Sequence, residues 1–157
     1  MDVVVKVEGL AEIDRKLRLL PQRIGTNAMR RALRRGANVI RDQAKANARA
    51  VDDPKTREQI AKNIVVSGGG RRREKSAGGP MMRVGIRGGA AVNQRSKDAS
   101  GNPGGDTRHW RFVEFGTSTV AARPFMRQAM ATAADKAFAT AAAAMDTEID
   151  KELAKLA

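Results

Sequence analysis

Large apolar side chains are scarce in this chain of 157 residues. Leu, Ile, Val and Phe together make up 30 residues, about 19% of the sequence, whereas alanine alone accounts for 27. Alanine buries little surface, and this fraction of large apolar residues falls just below the level that indicates disorder in highly charged chains. A domain of this length can bury a core, but this core must be thin. We therefore expect a single domain that completes its burial against other subunits, rather than a self-sufficient monomeric enzyme.

Charge is the second constraint. The sequence has 30 Lys and Arg against 17 Asp and Glu, a formal net charge of +13, and residues 1–51 and 67–111 each carry +7 of it. Such blocks indicate an acidic partner, either nucleic acid or an acidic protein surface. No apolar run is long enough to predict a membrane span, and the start of the chain lacks the features of a secretory signal. Without cysteine, the chain has no disulfide and no thiolate metal site, which is typical of a cytosolic protein.

The spacing of apolar residues predicts two helices in the first third of the chain. Alternating valines over residues 3–8 first indicate a short strand. Apolar residues at helical spacing over 10–20 then predict a short amphipathic helix, and Pro21 is well placed to open a second, longer one. One face of the longer helix is apolar and its neighbouring face is cationic. The apolar face carries Met29, Leu33, Gly36, Ile40 and Ala44.

The rest of the chain reads as strands followed by a long C-terminal helix. Residues 64–67, 82–86 and 110–115 are predicted strands, and Pro124 opens the helix. Between the strands lie glycine-rich basic segments at 67–80 and 88–108, which we expect to be flexible loops that become ordered on assembly. The expected fold is therefore α+β. A small, mainly antiparallel sheet packs against a long N-terminal and a C-terminal helix, in one domain spanning residues 1–157.

The residues give no indication of catalysis. His109 is the only histidine, so a two-histidine metal site is impossible, and a catalytic triad would have to use this one residue. The glycine-rich segment 68–76 lacks the Gly-Lys-Ser/Thr ending of a phosphate-binding loop. The carboxylates Asp52, Asp53 and Glu58 are better explained by a helix N-terminus than by a metal ion. We expect no enzyme activity, no cofactor and no metal.

Arginines are the candidate contact residues. The arginines on the long helix are compatible with a solvated face, a protein interface or a DNA contact. Sequence-specific recognition of nucleic acid is not indicated, because modules that read base sequence are absent and aromatic side chains are few. The candidate interface consists of Arg30, Arg34, Arg41, Arg71, Arg72, Arg73, Arg83 and Arg87.

The most distinctive stretch joins the last predicted strand to the C-terminal helix. We expect its phenylalanines to lie in the core where sheet meets helix. Glu114 and Arg123 flank the same Gly-Thr turn, so we expect them to form an ion pair that holds the strand to the helix. The candidate residues here are Trp110, Phe112, Glu114, Phe115, Gly116, Thr117, Arg123, Pro124 and Phe125.

These residues also carry a resemblance. The Phe-Val-Glu-Phe-Gly-Thr stretch at 112–117, followed by Ala-Arg-Pro-Phe at 122–125, resembles the tail-completion, or head–tail joining, family of long-tailed bacteriophages. Glu8-Gly9-Leu10, Leu20-Pro21 and Arg31-Ala32-Leu33 are similar to the opening helices of that family, so the resemblance covers most of the chain in order.

The resemblance implies a non-enzymatic structural protein of the virion, assembled in the host cytoplasm. Such proteins form a ring, commonly of six copies, at the head-proximal end of the tail or in the neck. They join the tail tube or its terminator to the head connector around the DNA channel, with possible non-specific contact with that DNA. The alternative, from the charge alone, is a basic DNA-binding protein that acts on phage or host nucleic acid.

Overall fold

A computed structural model describes residues 9–87 and 102–156. Within these ranges the chain forms six helices and two strands. Their bounds are α1 Leu10–Arg18, α2 Gln22–Arg49, α3 Ile60–Asn63, β1 Ile64–Gly68, α4 Arg71–Ser76, β2 Met82–Ile86, α5 Trp110–Phe115 and α6 Phe125–Ala154. The two strands pair as a small antiparallel sheet. The α+β prediction is therefore confirmed, with long helices near both ends, whereas the strand expected at 3–8 lies outside the described residues.

The contacts divide the chain into two units. The first contains Met1–Val39, Val66–Arg83 and Ala134–Ala157, and the second contains Ile40–Val65 and Val84–Ala133. Both long helices contribute residues to each unit.

The second unit has the larger apolar side chains in its core. Ile60, Ile64 and Phe125 are almost completely buried, and they pack with alanines of α2 and α6. Val84 and Ile86 of β2 cover the same cluster from the sheet. Phe125 thus occupies the core position predicted from the sequence, at the first turn of α6.

The first unit is held together by small residues where α2 meets α6. Gly36 of α2 is buried, and a Cβ atom built on it would lie 2.6 Å from the carbonyl oxygen of Ala137 and 2.9 Å from the Cβ of Ala141. Two helix backbones can approach this closely only where glycine or alanine lies between them. The small side chains of the sequence thus allow two helices to pack closely. Ala28 and Ala32 of α2 are also fully buried.

Part of the predicted loop at 67–80 is helical. Gly70, with φ at +79°, precedes α4, and the six residues Arg-Arg-Arg-Glu-Lys-Ser then make about 1.7 helical turns. Arg, Glu and Lys are good helix formers, and Glu74 of this turn is bound by Arg30 of α2. The expectation of a loop was wrong here. The glycines on both sides are typical of loops, but the short helix between them is stabilised by a tertiary contact with α2.

The predicted strand at 110–115 is also a helix, α5. Its aromatic and β-branched residues favour a strand locally, but β propensity depends strongly on context. In a strand, residues 112 and 114 would share a face. The helix instead separates them, burying Glu114 while Phe112 and Phe115 face solvent. Gly116, with φ at +76°, then ends the helix.

Candidate assembly surfaces

Glu114 is the most deeply buried charged residue of the predicted motif. Its side chain is 2% exposed, and its two carboxylate oxygens accept hydrogen bonds from the backbone N–H groups of Met126 (2.9 Å) and Arg127 (3.0 Å). These N–H groups belong to the first turn of α6, where intrahelical acceptors are missing and the helix dipole favours negative charge. Glu114 is therefore an N-terminal cap supplied to α6 by another helix.

Arg127 completes this contact from the surface. Its Nε lies 3.2 Å from Glu114 Oε1, and its Nη2 donates to the Glu114 backbone carbonyl at 2.6 Å. The guanidinium also stacks over the ring of Phe115, 5.1 Å from its centroid. One arginine thus binds the side chain, the backbone and an aromatic neighbour of α5, and so fixes α5 against the start of α6.

The predicted pair of Glu114 with Arg123 does not form. Arg123 is exposed, and its backbone N–H donates to the carbonyl of Val113 at 2.7 Å. The arginine that binds Glu114 is Arg127, four residues further on, because it lies in the first turn of α6, whose backbone N–H groups donate to Glu114. Pro124 immediately precedes α6 as predicted.

The turn between α5 and α6 needs its glycine. A Cβ on Gly116 would lie 2.9 Å from the carbonyl oxygen of Val120 and 2.9 Å from the backbone nitrogen of Ala122. Thr117 closes the turn, since its hydroxyl accepts from the N–H of Val120 at 3.0 Å. The Gly-Thr pair singled out in the sequence is thus what allows the chain to double back.

Helix α5 exposes two of the phenylalanines expected in the core. Phe112 and Phe115 are each 62% exposed, and Val120 in the following turn is 59% exposed. The core prediction was wrong for both phenylalanines because it rested on the strand assignment. Trp110 is partly buried against the core, with Arg111 lying 5.6 Å from the centroid of its ring.

Several arginines of α2 are neutralised within the chain. Arg31 binds Glu148 at 2.5 Å and Glu152 at 2.6 Å, and Arg35 binds Glu148 at 2.9 Å. Arg30 binds Glu74 of α4 at 2.6 Å. The cationic face predicted for α2 is therefore partly a set of structural ion pairs, which the sequence could not show because the partners lie far along the chain.

A cationic surface remains in the first unit. We use this name for Arg34, Arg71, Arg72, Arg73 and Arg83, which are all exposed. The bond between Arg30 and Glu74 brings α4, which carries three of them, beside α2. Of the other predicted contact residues, Arg41 binds the neighbouring Asp42, and Arg87 is an exposed residue of the second unit.

The ion pairs of α2 and α6 predict an acid-sensitive stability. The hydrogen bond from Arg31 holds the pKa of Glu148 below its ordinary value, and Lys155 and Arg31 do the same for Glu152. A lowered pKa in the folded state contributes stability that is present above the ordinary value, about 4.3, and is lost as the pH falls through the lowered one. We expect the melting temperature to fall steeply below about pH 5, and Glu148→Gln to lower it at neutral pH while flattening this dependence.

Calorimetry between about pH 7 and pH 3 checks this expectation. Asp135→Asn is the matched control, because Asp135 is exposed on the same helix. Parallel curves for Glu148→Gln and the unaltered chain would show that this carboxylate contributes nothing to acid sensitivity.

Asn63 forms a buried polar cluster that sequence reasoning missed. Its carbonyl accepts from the N–H of Arg87 at 2.9 Å, and its side-chain oxygen accepts from Gly104 at 2.8 Å. Its side-chain NH₂ donates to Thr107 at 2.7 Å and to the carbonyl of Gly105 at 3.0 Å. One asparagine therefore binds the residue before the glycine-rich segment predicted at 88–108 and the described end of that segment, whose residues 88–101 lie outside the described ranges. In the sequence, this asparagine is distinguished only by its position between a predicted helix and a predicted strand.

The described ranges contain no group of three or more His, Cys, Asp and Glu residues placed to hold a metal ion. His109 lies 4.0 Å from Glu58 on the surface. None of the helices in the described part of the chain is long and apolar enough to cross a membrane.

The described residues thus combine close packing of two helices, a capped helix N-terminus and exposed charged and aromatic side chains. Comparison with known proteins gives the family. Residues 11–116, about two thirds of the chain, match the family described as "Bacteriophage HK97-gp10, putative tail-component". The chain belongs to this HK97-gp10-like family, and is accordingly a structural tail protein of a phage virion that works with other tail and head proteins. No curated protein and no solved structure matches the chain.

Proposed function

We propose that this protein forms a ring at the head-proximal end of the phage tail, where it joins the tail to the head connector around the DNA channel. The family identifies the chain as a tail component, and the proposal adds its position in the tail. It assigns no catalytic role to the chain. The observation that carries it is the combination, on one tail protein, of a thin alanine core with surfaces suited to association.

The core supports assembly with other subunits. Ten of the fifteen buried hydrophobic residues in the described ranges are alanines, while side chains as large as Phe112, Phe115 and Leu19 are mostly exposed. Burial of a large apolar side chain stabilises by about 1.5–3 kcal/mol, and alanine contributes much less. A chain built this way gains its missing burial when neighbouring copies cover these side chains.

The cationic surface supports an acidic partner across the ring face. Arginine forms paired hydrogen bonds with carboxylates and phosphates, and three of these arginines follow one another on α4. An acidic connector or tail protein fits a joining role. DNA passing through the channel carries the same negative charge as an acidic protein, so an experiment must distinguish these two partners.

Neutralising Arg71, Arg72 and Arg83 together, each to Gln, tests the cationic surface. Exposed substitutions of this kind usually change stability by less than about 0.5 kcal/mol each, so we expect normal folding but a loss of at least tenfold in joined, infectious particles. The matched control removes the same charge from exposed residues of the second unit, in the variant with Lys55→Gln, Arg57→Gln and Lys62→Gln. Equal infectivity of the two triple variants would mean that the cationic surface is only solvated.

The position in the virion is tested with phage that lacks this protein. We expect filled heads and complete but separate tails in electron micrographs, and joining when purified protein is added. Joined particles in its absence would contradict the proposal.

The DNA-binding alternative has its own signature. A monomer that binds duplex DNA with sub-micromolar affinity, and loses that affinity steeply with salt because counterions are released, would favour the alternative. The ring proposal expects discrete oligomers without DNA.

A further inference from the structure

Helix α5 and the turn that follows it present an aromatic patch, which we define as Phe112 and Phe115 of the helix and Val120 of the turn. The two phenylalanines lie three residues apart on α5 and therefore on one face of it, and all three side chains are about 60% exposed. This surface is rigidly held, because Glu114, between the two phenylalanines, is bound to the first turn of α6. A rigid aromatic surface loses little entropy on binding and is typical of protein interfaces.

The rim of the aromatic patch is positive. Arg111 and Arg123 are exposed next to it in the chain. Arg127, exposed on the adjoining turn of α6, also borders it but already binds Glu114 and stacks on Phe115. The acidic residue of the motif, Glu114, faces inward and is already bound. Two copies meeting through the same patch about a twofold axis would place arginine against arginine. The patch therefore requires a different surface, one that combines carboxylates with an apolar side chain.

The same chain carries such a surface in its first unit. Three carboxylates surround Lys16, which lies 2.6 Å from Asp146, 3.1 Å from Asp150 and 3.5 Å from Glu12. The three carboxylates remain 50–61% exposed, and one ammonium cannot neutralise all of them. Leu19, which is 67% exposed, lies three residues after Lys16 and supplies the apolar side chain. We call these residues the acidic cluster.

We propose that the aromatic patch of one copy docks on the acidic cluster of the next copy, so that copies associate head to tail. This inference rests on the proposed ring and names the contact that closes it. Because the two surfaces consist of different residues, the contact is of the heterologous kind that generates closed rings or filaments. The arginine rim faces the carboxylates, and the phenylalanines cover Leu19.

Reciprocal charge reversal tests the contact. Arg123→Glu and Glu12→Arg each place like charges at every interface of a homomeric ring, so we expect each variant alone to need at least a tenfold higher concentration to assemble. An equimolar mixture should assemble normally, because alternating copies meet either the native contact or its reversed counterpart. Arg57→Glu is the matched control for an exposed arginine elsewhere, and it should assemble as the unaltered chain does.

Cross-linking locates the contact independently of charge. The sequence contains no cysteine, so Val120→Cys and Leu19→Cys introduce single thiols. Oxidation of a mixture of these two variants should give a dimer in high yield. Leu10→Cys is the matched control, because Leu10 is 57% exposed but lies nine residues away, about half a turn round the helix. Val120→Cys mixed with Leu10→Cys should give little dimer.

The outcomes separate this contact from the proposed function. Rings that assemble normally from Arg123→Glu alone, with equal cross-linking at Leu19 and Leu10, would overturn the docking contact and leave the ring intact. An unaltered chain that stays monomeric, together with no dimer from the mixture of Val120→Cys and Leu19→Cys, would overturn both. Failed assembly of each reversed variant with recovery in the mixture supports the contact.

Discussion

Glu114→Gln is expected to lower the free energy of unfolding by about 3 kcal/mol. Both carboxylate oxygens accept from backbone N–H groups at the start of α6. Glutamine keeps only one of these acceptors, and its NH₂ group would face a buried N–H donor that then has no partner. The negative charge at the helix N-terminus is also lost. In a chain of this length the melting temperature should fall by about 6–12 °C.

Two neighbouring arginines are the controls for this effect. Arg127→Ala removes a partly exposed partner but leaves both backbone hydrogen bonds, so we expect a loss of about 1 kcal/mol. Arg123→Ala should change stability by less than about 0.5 kcal/mol. A Glu114→Gln variant as stable as Arg123→Ala would contradict the capping role, and chemical denaturation monitored by circular dichroism measures all three.

Gly36→Ala is expected to destabilise the first unit by about 2–3 kcal/mol. The added Cβ would overlap the backbone carbonyl of Ala137 and press on Ala141. Neither atom belongs to a flexible side chain that can move aside, so the two helices must separate. Separation also weakens the packing of the alanines beside this contact.

Gly25→Ala is a matched control with the opposite sign. Gly25 is also buried in α2, but a Cβ there would make ordinary contacts, 3.7 Å from Leu17 and 3.9 Å from Leu20. Alanine is preferred to glycine inside a helix by about 0.5–1 kcal/mol, so this variant should be slightly more stable. Two substitutions with the same sign and size would show that helix propensity, and not the α2–α6 approach, decides the result.

The sequence was sufficient for features that depend on local pattern. Helical spacing and Pro21 predicted the first two helices, a short β-prone run predicted β1, and alternation predicted β2. The thin core was predicted from the scarcity of large apolar residues and the abundance of alanine, and is confirmed by the alanines that fill it. Phe125 and Pro124 lie where the motif placed them.

The errors came from contacts between residues distant in sequence. A strand was expected at 110–115 because aromatic and β-branched residues dominate it, yet Glu114 reaches the start of α6 only from a helix. The partner of Glu114 was assigned to Arg123 by proximity in sequence, whereas the first turn of α6 brings Arg127 to it. The two ion pairs of Arg31 span 117 and 121 residues, the side-chain hydrogen bonds of Asn63 span 41–44, and no local pattern encodes them.

The molecular mass of the purified, unaltered protein tests the central claim that this tail component is a ring subunit. Native mass spectrometry over a range of concentrations should give one discrete closed oligomer, with six copies as the expected number, and negative-stain images of the same sample should show rings. A protein that stays at the 16.9 kDa of a single chain at every concentration, or that forms only a continuous ladder of sizes, would contradict the account.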